Sequence, residues 1–560
     1  MLLEALSAVR DMGRVQEIAG VLIRYGFGDV VQRVGMAGVL ERAGRILHWQ
    51  AVSEEMLSLS PPQRVHRALE DLGPTFVKLG QILATRVDLF GPEWIAEFSL
   101  LQNAVPAVPF EEIAAQLEED LGCPPHEAFR NLKETPLAAA SLGQAYLAEL
   151  DDGTTVVLKV RRPDIAPTIE ADLRLLNRLA EAIESEMPDW RRYKPREVVR
   201  QFAISLRREL DFAAECRSAE RIARNFEDFP ELVVPRVHWK YVCERLNVQD
   251  FVVGVPGGAM DQIDEARLDR ARLARLGAAA ILKMVLEDGF FHADPHPGNV
   301  FFLPGNRIAL IDFGMVGRLG VDRRRQIARL LYGLATQEVN EVSEVLLDWA
   351  GSIDIDETQL LTEIDAFVDT YRGVPLRHLG FGRMLTDMIA VLRNNGLTLP
   401  PDLALMLKAF VTLEGMGREL DPDFDMAAVA LPYLRRALAE QYSPRALARR
   451  GWHVLSSTMS LMASLPRDLR HILRMARRGK LHVEVEVTSL KPFGDQLDRA
   501  VSRLTVGLVT SALIIGSAIV MNIKGPIALS TISGFGVLGF IGAALGGVWV
   551  LVSILRGGRR

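Results

Sequence analysis

Cysteine is scarce in this 560-residue chain: the three present, Cys123, Cys216 and Cys243, lie far apart, form no CxxC pair and total an odd number. A reducing compartment is the simplest reading, and the length excludes a small stapled scaffold. An excess of positive charge is also missing. The 65 Lys and Arg against 71 Asp and Glu leave a net charge of −6, which gives no global electrostatic ground for nucleic-acid binding. The N-terminus lacks the marks of a targeting segment: Glu4 and Asp11 stand where a signal peptide wants basic residues, and the Arg- and Ser-rich look of a transit peptide is absent. A mature cytosolic start is expected. No repeat of fixed period is visible. Hydrophobic residues at 49% and charged residues at 24% are near the globular average, so disorder explains little of the bulk.

What is present changes character along the chain. Residues 1–130 carry apolar residues at helical spacing, around Ile18, Val21, Leu22 and Val30 and again around Val65, Leu69 and Leu72. From Leu137 the period shifts. Ala145 to Leu150 alternates, Asp151-Asp152-Gly153 signals a hairpin turn, and Thr154 to Val160 is rich in β-branched residues. Helices are expected over 166–188, 195–228 and 264–289, with strand character over Leu232–Val237 and Tyr241–Val253. A polar loop at 292–299 precedes two short strands around Asn299–Leu303 and Ile308–Ile311, and the chain then reads as helical to about residue 475. Strands first and helices after suggest two lobes with a site between them.

The tail departs from this pattern. Between Arg503 and Lys524 lie 20 uncharged residues, and between Lys524 and Arg556 lie 31. Twenty helical residues span roughly 30 Å, the thickness of a hydrocarbon core, so a membrane hairpin turning at Gly525-Pro526 is expected rather than a buried soluble one. Gly542 and Gly546 give a GxxxG spacing suited to close helix packing. Arg499 and Arg503 precede the first span and Arg556, Arg559 and Arg560 follow the second, so both ends should face the cytoplasm. The run Arg467, Arg470, Arg474, Arg477, Arg478 and Lys480 reads either as a solvated helix face or as a contact for anionic headgroups.

The strongest local signal is His292-Ala293-Asp294-Pro295-His296-Pro297-Gly298-Asn299, followed by Asp312-Phe313-Gly314. An Asp, an Asn five residues on, and a DFG triplet after a short strand make the metal-holding half of a kinase site. In that set Asn299 and Asp312 hold Mg²⁺ and Asp294 orients an incoming hydroxyl or water, with His292 bracing the loop. A zinc site from His292, Asp294 and His296 is the competing chemistry, but it leaves Asn299 and the DFG triplet unexplained. Upstream, Lys159 at the end of the second hairpin strand fits the lysine that meets the α and β phosphates of ATP, with Glu209, Asp211 and Glu215 available as helix carboxylates. Two features depart from an ordinary protein kinase. Where a Gly-rich loop should cover the phosphates the chain reads Ala138-Ala139-Ala140-Ser141-Leu142-Gly143-Gln144, whose Cβ atoms crowd a close backbone approach. After Gly314 a helical pattern resumes by about Arg323, leaving little room for an activation segment.

With Lys78-Leu79-Gly80-Gln81 reading as a KxGQ motif, the Ala-rich loop at 138–144 and an ExD motif at Glu209 and Asp211, the sequence resembles the UbiB/AarF-type atypical kinase family from about residue 60 to the end. The resemblance implies an α+β, bilobal protein-kinase-like fold with an N-terminal helical KxGQ extension and a C-terminal transmembrane hairpin. The corresponding divisions are 1–130, 131–254 for the N-lobe, 255–475 for the C-lobe, a juxtamembrane segment at 476–503 and two spans within 504–555. It implies that Lys159 pairs with Glu215, and that Lys78 and Gln81 sit over the cleft, with Lys78 meeting Glu209 and Asp211. That extension would occlude the peptide-binding face. The Ala-rich residues Ala138, Ala139, Ala140, Ser141 and Gly143, with Asp250 at the hinge in Gln249-Asp250-Phe251, are the expected nucleotide contacts.

The implied cofactors are ATP and Mg²⁺. Expected partners are membrane lipids, anionic ones among them, and quinone-precursor lipids or quinone-biosynthesis enzymes. A homodimer is allowed and nucleic acid is not expected. The implied setting is the bacterial cytoplasmic membrane, crossed more than once, with the kinase-like body in the cytoplasm. The leading expectation is an ATPase or small-molecule or lipid kinase assisting ubiquinone synthesis. Its rivals are a phosphotransferase for a defined metabolite, since the 292–299 loop also resembles those of aminoglycoside and choline kinases, and a nucleotide-binding scaffold without turnover.

Overall fold

Among the described residues ten strands occur in chain order: β1 (Ala138–Ala139), β2 (Gly143–Glu149), β3 (Thr155–Arg161), β4 (Leu232–Val233), β5 (Leu246–Asp250), β6 (Val255–Pro256), β7 (Phe290–His292), β8 (Val300–Leu303), β9 (Arg307–Leu310) and β10 (Val316–Arg318). They come from a computed structural model that describes residues 2–33 and 58–441, apart from 88, 102–105, 188–189, 191–193, 337, 351–356, 372–380, 396 and 398, together with scattered positions between 508 and 519. The chain divides into two units, Met1–Arg450 and Gly451–Arg560. The fold below is that of the first.

The first sheet has the order β1-β2-β3-β5, antiparallel throughout. Its hairpin closes at Asp151-Asp152-Gly153, where Gly153 takes φ 83° and Asp152 accepts from the Thr154 N–H at 2.9 Å. Period-two alternation buries Val156, Leu158 and Val160 against Tyr146, Leu246 and Val248 on one face, which turns Lys159 to the other. The second sheet runs β4-β9-β8-β6. β4 enters it parallel to β9, so Leu232–Val233 packs with the later half of the chain although it precedes β5 in sequence. A two-stranded sheet pairs β10 with β7.

Helices supply the larger core. Helix Arg270–Leu282 packs against helix Pro401–Leu420, and Val321–Thr336 and Met426–Gln441 close around them in one apolar cluster that also holds Phe290, Phe302, Phe313 and Phe410. The helix expected over 264–289 is instead Met260–Glu265, then Arg270–Leu282, then a π-helical turn Lys283–Asp288 in which Lys283 bonds both Asp288 oxygens. Gly289 follows at φ 63°, and a Cβ at this position would stand only 2.6 Å from the Leu319 carbonyl oxygen, so the turn into β7 needs glycine. The helix expected over 195–228 breaks at Leu210-Asp211, because Asp211 caps a new helix, Phe212–Asn225, by accepting from Ala214 N at 3.0 Å. The strand expected over Tyr241–Val253 contracts to β5, since Trp239–Tyr241 form a 3₁₀ turn.

The N-terminal helices are tied down at several points. Arg14 bonds the buried Asp172 at 2.7 Å and the Leu72 carbonyl at 2.6 Å. Arg393, on helix Phe381–Asn394, bonds the carbonyls of Val87 and Phe90, so the segment after the KxGQ helix is held to that later helix as well. Among the described residues no helix is long and apolar enough to cross a membrane. The expected hairpin at 504–555 lies outside the described residues but for those scattered positions, and the basic run at 467–480 and the juxtamembrane segment at 476–503 lie wholly outside them.

Candidate active site

One cleft gathers side chains from five separate stretches of sequence: Lys78, Lys159, Glu209 with Glu215, Asp294 with Asn299, and Asp312. β3 aims Lys159 at helix Phe212–Asn225, where its ammonium meets both Glu215 oxygens at 2.9 and 3.0 Å and lies over the Phe212 ring. The same ammonium reaches Asp312 Oδ1 at 3.2 Å. Asp312 sits in the left-handed region, φ 60°, and its Oδ1 also accepts from Gly314 N. Phe313 is buried edge-on against His292, with centroids 5.4 Å apart.

His292 braces the loop from both ring nitrogens. Nδ1 accepts from Asp294 N at 3.1 Å, which puts the proton on Nε2, and Nε2 donates to the Ile311 carbonyl. Burial lowers its pKa, so the ring stays neutral. Asn299 Nδ2 donates to the Asp294 carbonyl, closing the loop. With both its nitrogens engaged, His292 is lost to the zinc alternative, which keeps only two of its three ligands. Among the described residues no group of three or more His, Cys, Asp or Glu is disposed to hold a metal.

The KxGQ helix, Pro74–Leu83, divides its motif among three tasks. Lys78 pairs with Glu209 at 2.9 Å inside the cleft. Gly80 lets the helix approach its neighbours, since a Cβ there would stand 2.1 Å from a Leu101 methyl and 2.9 Å from one of Leu69. Gln81 donates to the Leu101 carbonyl at 3.0 Å, away from the cleft wall. On the opposite wall the loop Ala140–Gly143 is closed by its own bond, Ala140 N to Gly143 O, and fastened by Arg162 to the Ala140 carbonyl.

Known proteins share this arrangement of sequence. Residues 100–346 match the ABC1 atypical kinase-like domain, 364–425 the UbiB helical domain, and 488–556 the ABC1/UbiB kinase-like C-terminal domain. A probable protein kinase UbiB of Pseudomonas putida is 33% identical over 476 residues, covering 83% of this chain and 86% of that protein. The chain belongs to the ABC1/UbiB kinase-like family. A probable protein kinase UbiB of Xanthomonas campestris pv. campestris is 32% identical over 526 residues, 91% of this chain and 93% of that one. A solved Mycobacterium tuberculosis protein in complex with erythromycin is 21% identical, with a TM-score of 0.45, over 58% of this chain and 83% of its own.

Within this kinase-like cleft the charges are unevenly shared. Burial works against ionisation of Lys159, but Asp312 and Glu215 outweigh it and hold the ammonium charged above its ordinary range. Burial also opposes ionisation of Asp312, yet Lys159 and Lys78 together keep its carboxyl below the usual carboxylate range. Glu215 is left with the weaker share: burial, with Asp312 nearby, pushes its pKa up to about 7 despite Lys159. A carboxyl whose folded pKa lies above its unfolded value contributes stability that is complete below the unfolded pKa and lost as pH rises through the folded one. The window therefore runs from the ordinary 4.5 to about 7. Glu215→Gln is expected to flatten the fall in thermal midpoint across that window relative to wild type; parallel pH profiles for the two proteins would sink this assignment.

The donor set suits a hard cation. Among the described residues, Asp312 Oδ2 and the Asn299 side-chain oxygen are oxygens at the cleft without a bond to protein, and the buried Glu209 Oε1 has no hydrogen-bond partner. One carboxylate and one amide are what Mg²⁺ takes when nucleotide phosphates and water complete its shell. One expected contact is corrected, and three expected nucleotide contacts lie beside the cleft wall rather than in it. Asp211 does not meet Lys78, because it caps its helix and pairs with Arg217 at 2.7 Å. Asp250 is no part of the cleft wall: its carboxylate pairs with His238 at 2.7 Å and its N–H is given to the Arg236 carbonyl. Ala138 and Ala139 form β1 beside the wall, which begins at Ala140. Sequence reasoning missed Lys408, on helix Pro401–Leu420, whose ammonium lies 2.8 Å from Asp294. Its only signal was a lone charge in the apolar stretch Leu403–Phe410.

Proposed function

We propose that this chain is a membrane-anchored kinase-like ATPase, or a small-molecule or lipid kinase, that supports isoprenoid-quinone synthesis and in particular that of ubiquinone. The observation that carries the enzymatic part is the convergence on one cleft of an ion-paired Lys159, the oxygens of Asn299 and Asp312, and Asp294. In this reading Lys159 meets the α and β phosphates of ATP, and Asp294 orients an acceptor hydroxyl or water. Asn299 and Asp312 would hold Mg²⁺, which would supply neutralising charge to the phosphate oxygens. Glu215 keeps Lys159 extended toward the phosphates.

A small or lipid acceptor is favoured over a peptide by the chain that follows the DFG triplet. Only residues 315–320 separate Gly314 from helix Val321–Thr336, and β10 within them is pinned to β7, Val316 opposite His292. No free activation segment is left to bind a peptide. The membrane part is supported by the uncharged runs after Arg503 and Lys524 and by Leu508, Ile514, Ile515 and Ile519, all exposed. The quinone part is carried by family resemblance, and its test is genetic. Deleting the gene should lower the quinone pool and raise its precursors, with wild type restoring both and Asp294→Asn restoring neither. An unchanged pool after deletion would overturn the pathway assignment.

A further inference from the structure

The catalytic loop, His292 to Asn299, contains no lysine or arginine. Among the described residues, the cleft it faces is short of positive charge: its wall carries four carboxylates, Glu209, Glu215, Asp294 and Asp312, against the two ammonium groups of Lys78 and Lys159. Both ammonium groups are committed, Lys78 to Glu209 and Lys159 to Glu215 and Asp312. Transfer of a phosphoryl group develops negative charge on its oxygens, and a cation aimed at them is among the largest contributions to such a reaction.

Lys408 is a cation in the right neighbourhood. It stands on a helix whose other side chains from Leu403 to Phe410 are apolar, where a charge is tolerated only with a partner. That partner is Asp294, at 2.8 Å, and the lysine side chain is a little over a quarter exposed. A lysine has three N–H donors, and this one acceptor occupies one of them. The helix is clamped in the C-lobe core by Leu403, Leu407 and Phe410, so the base of the side chain is fixed while its four-carbon stem can pivot.

We propose that Lys408 is a catalytic residue that leaves Asp294 to bind the terminal phosphoryl group of the nucleoside triphosphate. In the step, the bond between the terminal phosphorus and its bridging oxygen breaks and the diphosphate departs with that electron pair. The acceptor oxygen, of water or a hydroxyl, forms the new bond to phosphorus, and its proton passes to the Asp294 carboxylate. Movement of Lys408 brings its ammonium to the developing charge and uncovers the Asp294 oxygen that it now holds at 2.8 Å.

The inference rests on the proposed nucleotide turnover, and the test separates the two. The full chain in lipid nanodiscs is assayed for phosphate release from Mg-ATP, beside Lys408→Met and Lys408→Arg, with nucleotide affinity and thermal midpoint measured on each. Lys408→Met is expected to lower kcat about a hundredfold or more, with KM and nucleotide Kd within about threefold of wild type, and Lys408→Arg to recover at least about a tenth of the lost rate. Lys408→Met turning over within about threefold of wild type overturns the inference. So does a loss of rate matched by loss of nucleotide affinity and thermal stability, which is the signature of a purely structural ion pair. A wild-type chain without turnover overturns the functional reading itself, and this inference with it.

Discussion

Asp312→Asn is expected to lower Mg-ATP turnover about a thousandfold while leaving the chain folded. The substitution removes one negative charge and little else. Asp312 holds φ 60°, a left-handed conformation that Asn adopts more readily than any other residue except Gly, so the backbone of the DFG turn is preserved where Ala would strain it. The amide keeps an oxygen able to accept from Gly314 N, and Lys159 keeps Glu215 as its partner. What is lost is the anionic oxygen that suits a divalent cation. A second readout follows from the charge distribution. Asp312 is one of the groups raising the Glu215 pKa, so the pH-dependent stability window of Glu215 should move toward the ordinary carboxylate range in the variant. Phosphate release equal to wild type would remove Asp312 from the chemistry and favour a nucleotide-binding scaffold.

Lys159→Met should abolish turnover and also cost about 3 kcal/mol of folding stability. The reason is the asymmetry of buried ion pairs: forming one gains little, but removing a single partner strands the other charge. Glu215 is buried and has Lys159 on both oxygens, so Met leaves it without a cation. Removing both partners is the decisive comparison. Lys159→Met with Glu215→Gln should recover most of the lost stability in a denaturant titration and none of the turnover, because the pair's structural and phosphate-binding roles then separate. If the double variant is as unstable as the single one, Glu215 is not the group that Lys159 neutralises.

Much of this cleft could be read along the chain because its parts are local. Asp294 and Asn299 share one loop, Asp312 opens its own triplet, and Lys159 lies at a fixed distance from the Asp151-Asp152-Gly153 turn. Short-range spacing and period-two alternation carry that information without any knowledge of packing. The same alternation predicts that Lys159 faces away from its neighbours Leu158 and Val160, and in β3 those two are buried in the sheet's core while Lys159 turns to the cleft. The helix break at Asp211 was less visible, since an Asp inside a long amphipathic stretch reads equally as a surface charge or as a cap, and only the bond from Ala214 N distinguishes them.

The contacts that sequence did not specify are those between distant segments competing for one partner. Asp211 and Glu209 stand two residues apart, but the helix start claims Asp211 and leaves Glu209 alone to meet Lys78. Asp250 lies at the expected hinge, and its carboxylate pairs with His238 while its N–H is given to the Arg236 carbonyl. Lys408 is more than a hundred residues from Asp294 and belongs to an apolar helix, so no spacing rule could join them. The sequence by itself determined the family, its kinase-like fold and the chemical identity of its loop residues, because each is encoded in a local pattern. Tertiary structure alone decided that Lys78 holds Glu209 without Asp211 and that Lys408 holds Asp294. That choice depends on burial and on the competition among charges brought together by packing, and neither exists in the unfolded chain.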